Sequence, residues 1–179
     1  MARAAPKAGW AFGSDPASMT GAKNLPWTRA CFVCGQDNPH GLRLRCRLDG
    51  GHAILEHTAR DSDLGWKTFI HGGITMSLLD EVMAWAAMVA ARRPCVTVEM
   101  TTRLRRPALV GMRLRAQGQV SEVRSRLVRA EARLLDQHGV ELAAATGKFV
   151  PMDPKAAGAW LGDLVWEGGT LRPDEIFAV

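Results

Sequence analysis

The sequence predicts an α+β domain in which an antiparallel sheet of five to six strands wraps around one long central helix. Three observations carry this. Residues 73–91 run without proline, without a glycine after Gly73, and almost without polarity apart from Thr75, Ser77, Asp80 and Glu81. At 3.6 residues per turn that is a helix of about five turns, and one apolar nearly all round is enclosed by other structure. Two strand-like segments precede it and four longer ones follow, separated by turn residues, as an antiparallel meander requires.

In chain order, residues 1–30 hold no sustained periodicity and read as an N-terminal arm. Residues 42–48 alternate Leu42, Leu44, Cys46 and Leu48 with Arg43, Arg45 and Arg47, the pattern of a half-buried strand. Residues 53–58 form a second strand after the Gly50–Gly51 turn, and the polar stretch 59–70 with Gly65 reads as a loop. After the helix, residues 95–105 place Val96, Val98, Met100, Thr102 and Leu104 on one face. Residues 112–123 group Leu114, Ala116, Gly118 and Val120, and residues 127–136 set Val128, Ala130, Ala132 and Leu134 against Arg129, Glu131 and Arg133. Residues 140–150 close the series. The tail carries Pro151, Pro154 and Pro173 and a short helix over 156–165, whose Trp160, Leu161 and Leu164 dock on this subunit or a neighbour. The organisation expected is an arm over 1–30, a domain over 31–151 and a tail over 152–179.

The 179 residues are 47% hydrophobic, a globular composition. No apolar run is expected to reach the roughly 20 residues of a membrane-spanning helix. The N-terminus has Arg3 and Lys7, but the stretch 6–12 is too short and mixed for a signal-peptide core. The expectation is a cytoplasmic protein whose four cysteines stay reduced. The net charge of +5, from 23 basic against 18 acidic residues, suits an anionic partner. The basic runs lack the interleaved aromatics of a single-stranded nucleic-acid binder, and there is no tyrosine. Neither a nucleic-acid nor a membrane partner is expected.

The chemistry concentrates in Ile70-His71-Gly72-Gly73-Ile74, which opens the central helix, and in Asp80 nine residues after His71. A helix N-terminus presents free N–H groups and a positive dipole end, and two glycines let a ligand approach closely. A carbonyl placed there is polarised as in an oxyanion hole; the structural alternative is that the glycines only start a crowded helix. Asp80 sits mid-helix in apolar surroundings, where an ionised carboxylate is costly and its pKa is raised. A bond to Ser77 or a subunit contact are its structural alternatives, and Glu81, about 100° round the helix, is the competing acid, directed to solvent or a basic strand. Gly72 and Asp80 are eight residues apart, about 12 Å along the axis, while base and oxyanion donors must each reach within about 3 Å of one carbonyl. If both act, they come from different subunits of a two-fold dimer with two composite sites.

Residues 64–74, Leu-Gly-Trp-Lys-Thr-Phe-Ile-His-Gly-Gly-Ile, followed by Leu78-Leu79-Asp80-Glu81, resemble the hotdog-fold acyl-CoA thioesterases. The likeness is to the PaaI-like branch, related to 4-hydroxybenzoyl-CoA thioesterases. Cys31-Phe32-Val33-Cys34-Gly35, Asn38-Pro39, Gly41-Leu42, Arg106-Pro107 and Gly111 extend it over residues 31–151. The resemblance implies Asp80 as general base or nucleophile, Gly72 as oxyanion donor with Gly73 beside it, and His71 shaping the helix entrance. It puts Thr97 where some relatives orient water with a hydroxyl, although alternation places Thr97 on the polar strand face. Gly65 stands where some relatives carry an Asn or Gln that holds the carbonyl or the water. Arg103, Arg105 and Arg106 are candidates for the CoA phosphates, as arginine forks suit phosphate. Met76 and Met83 are candidates for the acyl pocket, which is placed between subunits.

The activity expected is hydrolysis of an acyl-CoA to free acid and CoA by a homodimer or a dimer of dimers (a homotetramer), with no cofactor beyond the substrate's CoA. The alternative is a non-catalytic acyl-CoA binding or sensing protein, favoured by Gly65. Cys31-x2-Cys34 with His40 and Cys46 offers the ligand types of a zinc site. Cys46, however, alternates in phase with the core leucines, and no metal is expected. Asp37-Asn38-Pro39-His40 resembles a hydratase motif but lacks its spacing, and Ser77 has no nucleophile-elbow context. His52, His57 and His138 are expected near turns and exposed.

Overall fold

The structure is a computed structural model that describes residues 21–178; the first twenty residues of the expected arm lie outside the described residues. The strands are β1 (Lys23–Asn24), β2 (Trp27–Thr28), β3 (Cys46–Asp49), β4 (His52–Thr58), β5 (Leu64–Trp66), β6 (Phe69–Ile70), β7 (Cys95–Leu104), β8 (Arg113–Arg124), β9 (Leu127–Leu135), β10 (Glu141–Pro151) and β11 (Leu164–Val165). The helices are α1 (Gly72–Ala91), α2 (Pro154–Gly162) and α3 (Pro173–Ile176). The large sheet has the order β1-β3-β4-β8-β9-β10-β7 and is antiparallel throughout. With α1 packed across one face it is a hotdog fold. The seventh strand, beyond the six expected, is the two-residue β1.

Helix and sheet approach closely because the sheet residues beneath the helix are small. Ala116, Ala130, Ala132, Ala143 and Ala145 are buried there, meeting Leu78, Leu79, Val82 and Met83. At Gly118 the approach leaves no room at all: an added Cβ would lie 2.5 Å from the Val82 carbonyl oxygen.

The sheet covers one side of α1, and the chain's two ends cover much of the rest. Leu25, Val33 and Leu42 from the lead-in, and Leu171, Ile176 and Phe177 from the tail, join the same core. Trp160 of α2 stacks between them, 6.2 Å from Trp85 of α1 and 5.8 Å from Phe177. Lead-in and tail are tied to each other by the β2–β11 pairing. The helix is thus apolar all round because three separate segments meet it. Contrary to expectation, α1 is long and apolar enough by composition to cross a membrane; here it is the core helix, with Leu78, Leu79, Val82 and Met83 fully buried.

Two segments depart from the sequence pattern for local reasons. Residues 42–45 are not strand, because Arg43 adopts a left-handed φ of 55° that breaks the extension. The stretch 59–70 is not irregular: it holds a 3-10 turn over Asp61–Asp63 and the β5–β6 hairpin. The tail helix is shorter than expected, capped by the Asp153 side chain, which accepts from the Lys155 and Ala156 N–H groups.

Replacing Gly118 with Val places side-chain atoms where the Val82 carbonyl stands. Overpacking costs about 1–3 kcal/mol, and more where backbone must move. Gly118→Val is expected to lower the thermal midpoint by several degrees or abolish folding, read by circular dichroism.

Candidate active site

His71 caps α1: its Nδ1 accepts from the Gly73 N–H at 2.9 Å, while its carbonyl takes the Ile74 N–H at 2.9 Å. The cap uses Gly73 and leaves Gly72. Among the described residues nothing accepts from the Gly72 N–H, so it is the amide free to meet a ligand at the helix's positive end.

This entrance is held from behind by residues the sequence reading missed. The His71 N–H donates to the Asp63 carbonyl at 2.8 Å. The buried Asp63 carboxylate receives the Arg60 backbone N–H at 2.8 Å and the Arg60 guanidinium at 2.9 Å, and lies 2.6 Å from His57 Nε2. Burial works to raise the Asp63 carboxyl, but the bonds from Arg60 and His57 outweigh it and hold it below the ordinary carboxylate value. His57 is therefore buried in β4, not exposed near a turn. Its signal was an isolated polar residue at a core position of an alternating strand. His52 is half-buried against Gln119 Oε1 at 2.8 Å; only His138 is exposed as expected.

Gly65 of β5 runs against this same entrance. A Cβ there would lie 2.8 Å from His71 Cα. An Asn or Gln has no place at this position unless the hairpin moves.

Asp80 is half-buried on α1, and Thr97 Oγ1 donates to its Oδ1 at 2.8 Å. Burial raises the Asp80 carboxyl, partly offset by that bond. Thr97 reaches it because β7 is bulged. Phe149 pairs with Thr97 and its neighbour Lys148 pairs with Glu99, so Val98 is an extra residue in the ladder. A bulge reverses the alternation beyond it. Thr97 thus faces α1 together with Met100 and Leu104, which pack on the core and on Gly72, while Val96 and Val98 point away, 43% and 56% exposed. This corrects the expectation that Thr97 lies opposite that face.

Glu81 turns the other way, neither to solvent nor to a basic strand. Its Oε1 receives the Trp85 Nε1–H at 3.1 Å, and the Cys34 thiol hydrogen-bonds it. Burial first, and the neighbouring Cys31 charge second, push its carboxyl up to about 7. Cys31 is held below the ordinary thiol range by the hydrogen bond from Cys34, whose own thiol is raised.

The expected site residues thus fall into separate groups. His71, Gly72, Gly73 and Gly65 form the entrance, and Asp80 with Thr97 lies about 12 Å along the same helix. Met76 is exposed on α1, whereas Met83 is fully buried against the sheet, near Gly147. Arg103 and Arg105 lie on the outer sheet face in a pocket shared with Glu131, Arg133 and Glu141. Arg105 is paired there with Glu141 at 2.7 Å, and the Arg106 side chain is exposed beyond the strand end.

Residues 68–143 match the thioesterase superfamily, a span that holds His71, Gly72, Asp80, Thr97 and the arginines. No curated protein matches the chain. Among solved structures, a thioesterase superfamily protein aligns with a TM-score of 0.63 at 23% identity, over 68% of this chain and 60% of its own. The Escherichia coli PaaI protein from the phenylacetic acid degradation operon aligns at 0.58 and 24%, over 63% of this chain and 81% of its own. A Streptococcus mutans protein solved with acetyl CoA bound aligns at 0.56 and 20%, over 59% and 84%. At these identities the structural likeness is one of fold. The superfamily match over residues 68–143 agrees with the resemblance read from the sequence.

Asp63 carries two predictions. Asp63→Ala leaves the buried His57 Nε2 without its partner and is expected to cost about 1–3 kcal/mol in urea unfolding at pH 7. Because the folded carboxyl titrates below the unfolded one, the wild type holds the stability linked to that shift above roughly pH 4 and loses it as pH falls through the folded value. Asp63→Asn, which does not titrate, is expected to be weaker at neutral pH and to lose less stability on acidification.

Proposed function

We propose that the chain hydrolyses an acyl-CoA thioester to the free acid and CoA, with the acid of one subunit and the helix N-terminal amide of another acting on one carbonyl. The observation that carries this reading is Asp80, a half-buried acid bonded to Thr97 on the helix whose free Gly72 N–H opens it. The superfamily match over both residues supports it, as does the acetyl-CoA-bound fold neighbour. Asp80 takes the proton of an attacking water, or attacks the carbonyl itself to form a mixed anhydride that water then hydrolyses to the free acid and Asp80. Gly72 N–H receives the oxyanion, and the sulfur leaves as CoA thiolate.

The 12 Å between the two groups requires a second copy, and β7 offers the place for it. It is an edge strand of the sheet, and among the described residues no strand pairs with its outer side. A ten-residue edge carrying exposed Val96 and Val98 is a template for pairing. Pairing β7 with its copy about a two-fold axis continues the sheet and brings each Asp80 towards the other helix. The acyl chain then lies against the α1 face carrying Met76, and Arg103 and Arg106 serve the CoA phosphates. A homodimer or a dimer of dimers in the cytoplasm completes the reading, with CoA as part of the substrate and no further cofactor in the reaction.

Gly65 supports a second reading, a binding or sensing protein, because the entrance has no room for a side-chain amide to hold carbonyl or water.

Free-CoA release across short, medium, long and aromatic acyl-CoAs separates the two. Asp80→Asn is expected to lower turnover by about a hundredfold or more; a folded dimer with no turnover on any substrate indicates the binding protein, and unchanged turnover in the variant removes Asp80 from the mechanism. Gly72→Pro deletes the free N–H at a position where proline suits a helix, and is expected to lose about a hundredfold. Refolding the two variants together is expected to restore about a quarter of wild-type activity: half the dimers are mixed, each with one intact composite site. No recovery places both groups in one chain's site.

A further inference from the structure

Cys31, Cys34 and Glu81 take no part in the hydrolysis proposed above, yet their ligand atoms converge. One ligand atom from each residue, the two Sγ atoms and a carboxylate oxygen, all lie within 4.8 Å of one another. We propose that this cluster is a binding site for one zinc-class divalent cation, with Cys31, Cys34 and Glu81 as three of its ligands. The site stands apart from the hydrolysis reading and fails or holds independently of it.

Three further features support it. The first is the shape of the Cys-x2-Cys turn. The Val33 N–H donates to Cys31 Sγ at 3.4 Å and the Gly35 N–H to the Cys31 carbonyl at 3.0 Å, which curls the backbone around the sulfurs. Amide bonds to sulfur favour the thiolate, the form that ligates. Gly35 is required by that curl, since a Cβ would lie 2.4 Å from the Cys31 carbonyl oxygen. The second is that the third ligand comes from a distant segment. Glu81 lies mid-helix in α1, turned from the Asp80 side to meet the lead-in, where the Trp85 N–H at 3.1 Å also holds it. Even with those partners, an ionised acid half-buried beside two sulfurs is favoured by a cation that balances its charge. The third is the donor set. Two sulfurs and one carboxylate suit zinc, whose sites mix thiolate and carboxylate ligands, and do not suit magnesium or calcium, which take oxygen.

Water completes a four-coordinate site, and Cys46, though buried in the same core, is outside the cluster. His40, the ligand type the sequence offered, is exposed and outside the cluster. The cation fastens the lead-in to α1 at the residue next to Asp80 and fixes the rotation of that helical turn.

The test is metal retention by the full chain. Apo protein is loaded with Zn2+, passed through gel filtration and analysed for metal, and Co2+ is then used as a spectroscopic probe. The expected result is about one zinc per chain, with a thiolate-to-cobalt charge-transfer band in the near ultraviolet. Cys31→Ser, Cys34→Ser and Glu81→Gln are each expected to lower retention by at least about tenfold, while Cys95→Ser leaves it unchanged. Wild type that retains no zinc, or retention unaffected by both Cys31→Ser and Cys34→Ser, overturns the proposal. If those variants do not fold, the cobalt spectrum of Cys95→Ser decides: the charge-transfer band supports the site and its absence overturns it. A Cys31–Cys34 disulfide formed in the presence of Zn2+ also overturns it.

Discussion

The structure depends on one awkward requirement: a helix that must bury nearly its whole circumference carries two adjacent carboxyls. Asp80 and Glu81 lie about 100° apart on α1, so no single polar environment serves both. Each is met by a different device. Asp80 faces the edge of the sheet, where Thr97 donates to it. Glu81 faces the lead-in, where the Cys34 thiol meets it, and the Trp85 indole N–H, one turn on along α1, also donates to it. A buried polar group left without partners costs on the order of 1–3 kcal/mol, and a charge costs more. The bulge in β7 and the curled Cys-x2-Cys turn are placed where those costs would otherwise fall.

The same helix sets the scale of the proposed chemistry. A rigid rod fixes the separation between its N-terminal amide and an acid two turns on, and no side-chain motion closes about 12 Å. What the rod cannot do within one chain, a two-fold axis does without new residues, because each copy supplies the half the other lacks. The exposed edge of β7 is costly in a monomer, since an unpaired strand invites aggregation. In the proposed dimer that liability becomes the joint that aligns the two helices.

Most of the fold was legible because it follows from periodicity. The apolar helix, the four long strands and the buried faces of β8 and β9 all repeat with the period of their element. What was not legible lies where one residue departs from a period. Arg43 enters the left-handed region and cuts a strand that alternates well on paper. Val98 inserts into a ladder and carries Thr97 to the opposite face from the one counted. His57 reads as a polar residue near a turn, but its partner Asp63 six residues on lets it be buried. Pairing, not composition, decides burial for such groups. The convergence of Glu81 with Cys31 and Cys34 was hidden for a related reason. Sequence spacing offered His40 and Cys46 as partners, and only the docking of the lead-in on α1 brings the acid to the sulfurs.

The helix entrance, the proposed oxyanion site, is built from backbone. His71 could have left both glycine amides free, but its imidazole takes Gly73, and a single N–H at Gly72 is left to a ligand. Gly65 excludes any side chain from the neighbouring wall, because β5 runs within van der Waals contact of His71. The His71 N–H is in turn held by the carbonyl of Asp63, whose carboxylate is fixed by Arg60 and His57. Every constraint acts on backbone position, and an amide dipole so held needs no reorganisation when negative charge develops against it. An Asn or Gln side chain would have to be ordered for each encounter, at a cost in rotamer freedom. In the proposed reaction the entrance therefore offers a fixed donor in place of an adjustable one, suited to a small oxygen presented end-on to the helix.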